Sequence, residues 1–151
     1  CRGVIETVKK LGWAPDVIHC NGWMTSLVPF YLKTVFKDDP IFEKSKIVYS
    51  VYNDQYEGTL DARMAEKVKF DTLTDSDVSE LADTSHLGLT KLGIKYADAV
   101  IIGDEELSPE AAALATGSDK PLLGYKDEET YLDAYSDFYT EVLAGDSVLA
   151  D

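Results

Sequence analysis

The sequence predicts a single α/β domain whose parallel β-sheet is covered by helices on both faces. Segments with apolar residues at helical spacing alternate along the chain with short apolar runs typical of buried strands. This alternation implies right-handed crossovers between parallel strands. Apolar residues make up 45% of the 151 residues, which is enough for one buried core without a metal or disulfides. We therefore expect residues 1–151 to form one domain without an internal repeat or a linker.

The first third of the chain contains two predicted helices and two predicted strands. Apolar residues at positions 4, 5, 8 and 11 repeat at helical spacing, and Gly12 followed by Pro15 ends that helix. Pro29 lies within the second helical segment and predicts a kink or a late start. The clearest strand is rich in β-branched and aromatic residues. In order, the predicted elements are a helix at about 3–12, a strand at 16–20, a helix at about 23–33 and a strand at 47–52.

The remainder of the chain has a weak pattern at first and a regular one afterwards. We predict a loop from Gln55 to about Thr74 with one short helix near 61–68, and a frayed tail at 145–151. Between them, the predicted elements are a helical segment at 76–96 with a break around Gly88, a strand at 98–103, a helix at 105–115, a strand at 120–123 and a helix at 128–143.

The charge of the chain excludes several classes of partner. The sequence has 14 basic and 28 acidic residues, a net charge of −14, and residues 101–151 hold thirteen of the acids against two bases. A surface this acidic repels phosphate backbones and anionic lipids, so we expect neither nucleic acid nor a membrane as a partner. No apolar run reaches the roughly 18–20 residues that cross a bilayer. Cys1 and Cys20 lack the spacing of a disulfide framework, which favours the reducing cytoplasm.

Candidate ligand-binding residues follow the predicted strands. In open parallel sheets, ligands bind beyond the carboxyl ends of the strands, a rule that selects the loops at 19–23, 52–54 and 103–106. Amide, imidazole and aromatic side chains suit neutral polar ligands such as sugars, because they bond hydroxyl groups and stack on ring faces. The candidate residues for substrate binding are His19, Asn21, Trp23, Tyr52 and Asn53.

Purely structural roles are open for several of these residues. His19 could satisfy a backbone group at the end of its strand, Asn53 could serve only to form a turn, and Trp23 could belong to the core. Cys20 is expected to be a buried, unreactive thiol, since no cation lies near it in the sequence. The acidic run 104–106 could hold a divalent metal, but we favour a helix N-terminus, where acidic residues interact favourably with the helix dipole.

Common catalytic and cofactor motifs are absent from the sequence. It contains no G-x-S-x-G, no H-E-x-x-H and no G-x-G-x-x-G segment. Two histidines and two cysteines make no recognisable zinc set, so we predict neither a metal nor a cofactor. The sequence assigns no catalytic residue.

Three segments resemble the starch and glycogen synthases of glycosyltransferase family five, in the order of that family. Residues 15–33 read PDVIHCNGWMTSLVPFYLK, against P-D-I/V-I/V-H-x-H-D-W-H-T-x-L-x-P-x-Y-L-K in the family. Residues 50–58 read SVYNDQYEG against T-I-H-N-x-x-Y-Q-G, and residues 92–100 read LGIKYADAV against K-x-G-I/L-x-Y/F-A-D-x-I/V. The GVIETVKK near the start and the acidic, tyrosine-rich helix at 128–143 resemble short Bacteroidetes-type homologues that lack the C-terminal domain.

The resemblance implies part of the N-terminal domain of a glycosyltransferase-B architecture, with a Rossmann-like, doubly wound parallel sheet. It implies retaining transfer of glucose from the donor substrate ADP-glucose or UDP-glucose to an α-1,4-glucan or maltooligosaccharide. Asn21 takes the position of the family histidine that faces the transferred glucose, and Asn53 matches the asparagine of H-N. Because the chain begins with Cys1 and a helix, we expect it to be the C-terminal part of that longer domain.

The sequence also departs from the family pattern at polar positions. Asn21, Gly22, Met24 and Tyr52 replace histidine, aspartate, histidine and histidine, respectively. The family's lysine-containing glycine loop and its C-terminal donor domain do not lie within this sequence. A departing nucleoside diphosphate needs cationic or amide partners, so we predict that the fragment alone is inactive. A separate protein could supply the donor domain. The alternative is a non-catalytic module that binds a glucan or a protein partner.

Overall fold

The computed structural model describes residues 1–145, and this part of the chain contains one four-stranded sheet. The strands lie in sequence order, and every neighbouring pair is parallel. This arrangement confirms the predicted α/β fold with a parallel sheet. Residues 146–151 of the predicted frayed tail lie outside the described part of the chain. The strands are β1 (Val17–Asn21), β2 (Lys46–Val51), β3 (Ala99–Ile102) and β4 (Leu122–Leu123).

Helices connect the strands and cover the sheet. The first helix ends at Gly12, which adopts a left-handed conformation with φ of 63° and so terminates the helix as predicted. Short 3₁₀ turns at Trp23–Thr25 and Ser79–Ala82 precede two of the helices. The helices of residues 1–145 are α1 (Arg2–Leu11), α2 (Leu27–Lys33), α3 (Met64–Val68), α4 (Asp75–Val78), α5 (His86–Tyr96), α6 (Pro109–Thr116) and α7 (Tyr131–Ala144).

The two sides of the sheet carry cores of different size. Successive side chains of β2 alternate between them, so that Ile47 and Tyr49 belong to the larger core and Val48 to the smaller one. The larger core lies on the side of α1, α2, α5 and α6. On the other side, Phe138 and Val142 of α7 pack against the sheet. The chain therefore covers both faces, but the second face depends on the last described helix.

The helical segment predicted at 76–96 breaks at residues 83–85 and not around Gly88, which lies inside α5. Ser85 begins α5 by accepting a hydrogen bond from the Gly88 N–H at 3.1 Å. The Asp83 carbonyl folds back over Gly88 so closely that any Cβ there would collide with it. Gly88 therefore allows a close approach of the backbone, and the N-cap residue Ser85 determines where the helical segment is interrupted.

Two other helix starts differ from the sequence prediction. The helix predicted at 105–115 begins at Pro109, because Ser108 caps it by accepting a hydrogen bond from the Ala111 N–H at 3.3 Å. The segment predicted at 23–33 forms a 3₁₀ turn before α2 begins at Leu27, so the late start implied by Pro29 is confirmed. No helix within residues 1–145 is long and apolar enough to cross a membrane.

Candidate functional site

An open cavity of about 900 Å³ lies at the carboxyl edge of the sheet. His19 and Asn21 from β1 and Tyr52 after β2 line it, together with the loop that follows β3. The cavity is thus built at the edge where parallel sheets bind their ligands, and its volume is within the range usual for ligand sites. The structure brings together three of the five residues that the sequence nominated.

His19 is held from both sides by hydroxyl groups. Its Nε2 lies 2.6 Å from Ser50 Oγ on β2, and its Nδ1 lies 2.7 Å from the Tyr139 hydroxyl on α7. Burial lowers the pKa of His19 below its usual value, so the imidazole is neutral at pH 7. Its partners are therefore side chains and not the backbone group that was considered as an alternative.

Tyr52 directly follows β2 and contacts residues of β1 and of the loop after β3. Its hydroxyl donates to Asn21 Oδ1 at 3.1 Å, which fixes the orientation of that amide. Its ring lies over Gly103, where a Cβ would overlap ring carbons. Glycine after β3 is consequently required for Tyr52 to reach Asn21. This bond occupies the Asn21 side-chain oxygen and leaves the amide nitrogen of this cavity-lining residue as a donor.

Trp23 does not line the cavity. Its ring packs against Tyr56 with centroids 4.5 Å apart, and the Tyr56 ring in turn meets His86 at 6.0 Å. His86 is buried, and its Nε2 lies 2.9 Å from Asp54 Oδ1. The other Asp54 oxygen lies over Gly22, whose φ of 69° and lack of a Cβ allow this approach. These contacts fasten the loop after β1 to the start of α5.

Asn53 lies next to the cavity and also does not line it. Its backbone N–H donates to Asp104 Oδ2 at 2.7 Å, and its side-chain oxygen accepts from Gln55 Nε2 at 2.9 Å. Asp104 therefore ties the loop after β2 to the loop after β3. The prediction that residues 104–106 begin a helix is wrong, because Ser108 caps α6 further along the chain. Within residues 1–145, no group of three or more histidine, cysteine or carboxylate side chains is placed to hold a metal.

Sequence reasoning missed the wall of the cavity that faces the strand ends. Tyr131, Tyr135 and Tyr139 lie along one stripe of α7, and all three line the cavity. Neighbouring rings are 5.6 and 6.2 Å apart between centroids and meet edge to face. Their spacing of four residues on a helix was the available signal for a shared stripe, but nothing in the sequence indicated which loop that stripe would face.

The electrostatics of the cavity disfavour anionic ligands. Asp104, Glu105 and Glu128 line it, and Lys126 is the one cation among its described lining residues. Burial raises the pKa of both Tyr135 and Tyr139, so these phenols are neutral at pH 7. Behind the site, Cys20 is buried as predicted, and burial raises the pKa of its thiol to about 12, which disfavours the reactive thiolate.

Comparison with known proteins assigns the family of this site. Residues 1–119 match the family described as starch synthase catalytic domain. The chain belongs to this family. The match includes all five candidate residues and Asp104, and it confirms the resemblance found in the sequence. No solved structure matches the chain.

Several proteins named glycogen synthase are similar to this chain. The protein from Chlorobaculum parvum is 37% identical over 128 residues, which cover 83% of this chain and 26% of the relative. The protein from Desulforudis audaxviator is 45% identical over 58 residues, or 38% of this chain and 12% of the relative. The protein from Thermotoga maritima is 34% identical over 102 residues, or 66% and 20%. The chain thus spans about a quarter or less of these relatives.

The family match ends before the tyrosine stripe. Residue 119 precedes β4 and α7, so α7 and its three tyrosines lie outside the matched range. The ends of β1, β2 and β3 and the loops that follow them therefore lie within the match to the starch synthase catalytic domain. The wall that closes the cavity from the other side is supplied by residues beyond it.

Proposed function

We propose that this chain forms the acceptor side of a glycogen or starch synthase-like glycosyltransferase. In this proposal, the complete enzyme transfers glucose, with retention at the anomeric carbon, from ADP-glucose or UDP-glucose to an α-1,4-glucan. The family membership supports the reaction class. The observation that carries the assignment to this site is the cavity at the strand ends, where His19, Asn21 and Tyr52 meet aromatic rings and carboxylates suited to sugar hydroxyls.

The charge of the cavity supports the acceptor side over the donor side. A departing nucleoside diphosphate develops negative charge that cations or preorganised N–H groups must stabilise. Three carboxylates line this cavity against Lys126, so a diphosphate would be repelled here. We therefore propose that groups outside residues 1–145, in the same protein or in a separate donor-domain protein, bind the nucleotide. On this proposal the fragment alone is inactive.

The site residues divide into two roles under this proposal. Asn21 and Tyr52 contact the sugar, because both face the cavity and the Asn21 amide nitrogen is directed by its bond to Tyr52. Trp23 and Asn53 support the loops through Tyr56 and Asp104. Cys1 and Cys20 are free thiols, which suits the reducing cytoplasm, and we propose that compartment for the protein.

The test is glucose transfer by the full-length protein that carries this chain. The expected result is incorporation of labelled glucose from ADP-glucose or UDP-glucose into glycogen, and its loss in the Asn21→Ala variant with folding retained. A Met24→Ala variant is the matched control, since Met24 is 71% exposed in the same loop and does not line the cavity. Incorporation no higher than that of heat-treated enzyme would contradict the transferase assignment.

A non-catalytic glucan-binding module is the second candidate function. It is favoured by the side chains at positions 21, 22, 24 and 52, where the family pattern has three histidines and an aspartate. Calorimetric titration with maltoheptaose tests it, together with the transfer assay. Binding without transfer by the full-length protein would favour the module. Trp23 is a poor reporter for this titration, because its ring packs on Tyr56 away from the cavity.

A further inference from the structure

The tyrosine wall, defined as Tyr131, Tyr135 and Tyr139 of α7, is held facing the cavity by the packing of α7 on the sheet. Phe138 and Val142 on the neighbouring stripe are buried against the sheet, 5% and 8% exposed, and anchor the helix. The tyrosines thereby stand at the carboxyl edge and pack edge to face on one another. Because the helix is anchored by apolar contacts below the wall, its aromatic surface is preorganised before any ligand binds.

His19 supports the tyrosine wall from β1. Its ring lies 5.7 Å from the Tyr135 ring and 5.8 Å from the Tyr139 ring, both in edge-to-face geometry. Its two nitrogens already contact the hydroxyls of Ser50 and Tyr139, and a neutral imidazole has no third polar position. A ligand could bond His19 only by displacing one of these hydroxyls. The geometry therefore favours a positioning role over direct contact with a sugar.

The surface that the wall presents fits a neutral polyhydroxylated ligand. Tyr131 is 38% exposed, so part of its ring is open for stacking. Asn21 and Ser136 offer neutral polar groups within the same cavity. The three carboxylates there accept hydrogen bonds from hydroxyl groups and repel phosphate. The open shape and the volume of about 900 Å³ suit a chain longer than one sugar ring.

We propose that the tyrosine wall is a binding surface for the acceptor α-glucan, with sugar faces stacked on Tyr131 and Tyr135. This inference rests on the proposed function for the identity of the glucan. His19 is a positioning residue that fixes the wall through Tyr139. α7 lies beyond the residues matched by the family, so the family match alone does not account for the tyrosine wall.

The direct test is calorimetric titration of the chain with maltoheptaose. Tyr131→Ala and Tyr135→Ala each lower the affinity about fivefold, since an aromatic stacking contact contributes on that scale. Tyr131→Phe restores affinity near that of the wild type, because the ring remains. Leu143→Ala is the matched control on the same helix, as Leu143 is 39% exposed and does not line the cavity.

The positioning role of His19 has a separate readout. The amide of asparagine can reach the position of Nδ1, whereas glutamine reaches that of Nε2. If His19 acts through Tyr139, His19→Asn retains more maltoheptaose affinity than His19→Gln does, although both lose the ring. Equal loss in the two variants, at equal thermal stability, would overturn this part of the proposal.

Other outcomes separate the wall from the proposed function. Wild-type binding that Tyr131→Ala and Tyr135→Ala leave unchanged, with both variants folded, overturns the wall. Absence of maltoheptaose binding to the wild type also overturns it, even where the full-length protein transfers glucose. Tight binding of choline instead of maltoheptaose would assign the acidic aromatic cavity to cations and overturn the glucan proposal. If the wild type binds maltoheptaose and the two alanine variants bind it more weakly, the result supports the tyrosine wall, regardless of the outcome of the transfer assay.

Discussion

The two sides of the sheet differ in how their cores are built. The side of α1, α2, α5 and α6 holds an extended core in which Phe30 and Tyr49 are fully buried. The side of α7 has a small core of five buried residues within the described chain, including Phe138 and Val142. The first side lies in the range that matches the family, and α7 lies beyond it.

This difference indicates that stability and ligand contact are carried by different parts of the chain. The large core sets the positions of the strand ends, and the thin side determines whether the cavity has its second wall. Elements with few buried contacts open at lower free-energy cost than the core of the same domain. We therefore expect α7 to leave the sheet more readily than the helices on the other side.

The largest expected effect is on the side of the extended core. Phe30→Ala removes a ring that is 0% exposed and is expected to lower the free energy of unfolding by about 4 kcal/mol. Urea denaturation followed by far-UV circular dichroism measures this change as a shift of the whole transition. A shift of less than about 1 kcal/mol would show that the two sides do not differ as proposed.

A matched substitution on the α7 side is expected to act locally. Phe138→Ala removes a ring that is 5% exposed, at a cost of about 3 kcal/mol that falls mainly on the docking of α7. Amide hydrogen exchange in residues 131–144 then speeds up, while exchange in β2 stays slow. Loss of protection in β2 to the same extent would mean that α7 and the sheet unfold as one unit. Leu143→Ala serves as the exposed control on this helix.

A smaller loss of stability is expected from a substitution at the carboxyl edge of the sheet, next to the cavity. Gly103→Ala places a methyl group against the Tyr52 ring, so that ring must move away from Asn21. We expect about 2 kcal/mol of destabilisation and a weaker affinity for maltoheptaose. Gly124→Ala is the control, because a Cβ at that glycine meets no heavy atom within 4 Å. Unchanged affinity in a folded Gly103→Ala variant would exclude Tyr52 from the binding surface.

The smallest expected effect is a dependence of stability on pH. The folded pKa of His19 is lowered by burial, so in the window below its unfolded value near 6.5 the unfolded chain binds a proton that the native chain does not. The contribution of His19 is therefore present above that value and is lost as the pH falls toward the folded pKa. The free energy of unfolding of the wild type, measured relative to that of His19→Asn, should therefore decrease from pH 7.5 to pH 5. A constant difference would contradict it.

The sequence was sufficient for features that depend on local pattern. The β-branched run at 47–52 predicted β2, and the carboxyl-edge rule placed His19, Asn21 and Tyr52 at one cavity. The displaced helix starts also have a local cause, since Ser85 and Ser108 are residues of a type favoured as N-caps and both accept a backbone hydrogen bond at the first turn of their helices.

Features that join distant segments could not be predicted from the sequence. The contact between His19 and Tyr139 spans 120 residues, and a helical stripe of tyrosines does not say which loop it will meet. Trp23 was a sensible candidate for stacking on sugars, but its partner Tyr56 comes from a loop without a regular pattern. Side-chain pairing of this kind is set by tertiary packing and not by periodicity.

The sequential order of the strands has a consequence for how the protein emerges during synthesis. Each strand pairs with the one made just before it, so the sheet can form step by step behind the ribosome. His19 is made 120 residues before Tyr139, the α7 residue that it contacts. A nascent chain halted before α7 would thus have its sheet in place and its cavity open along one side. Glucan binding at the tyrosine wall is therefore expected only after α7 has been made.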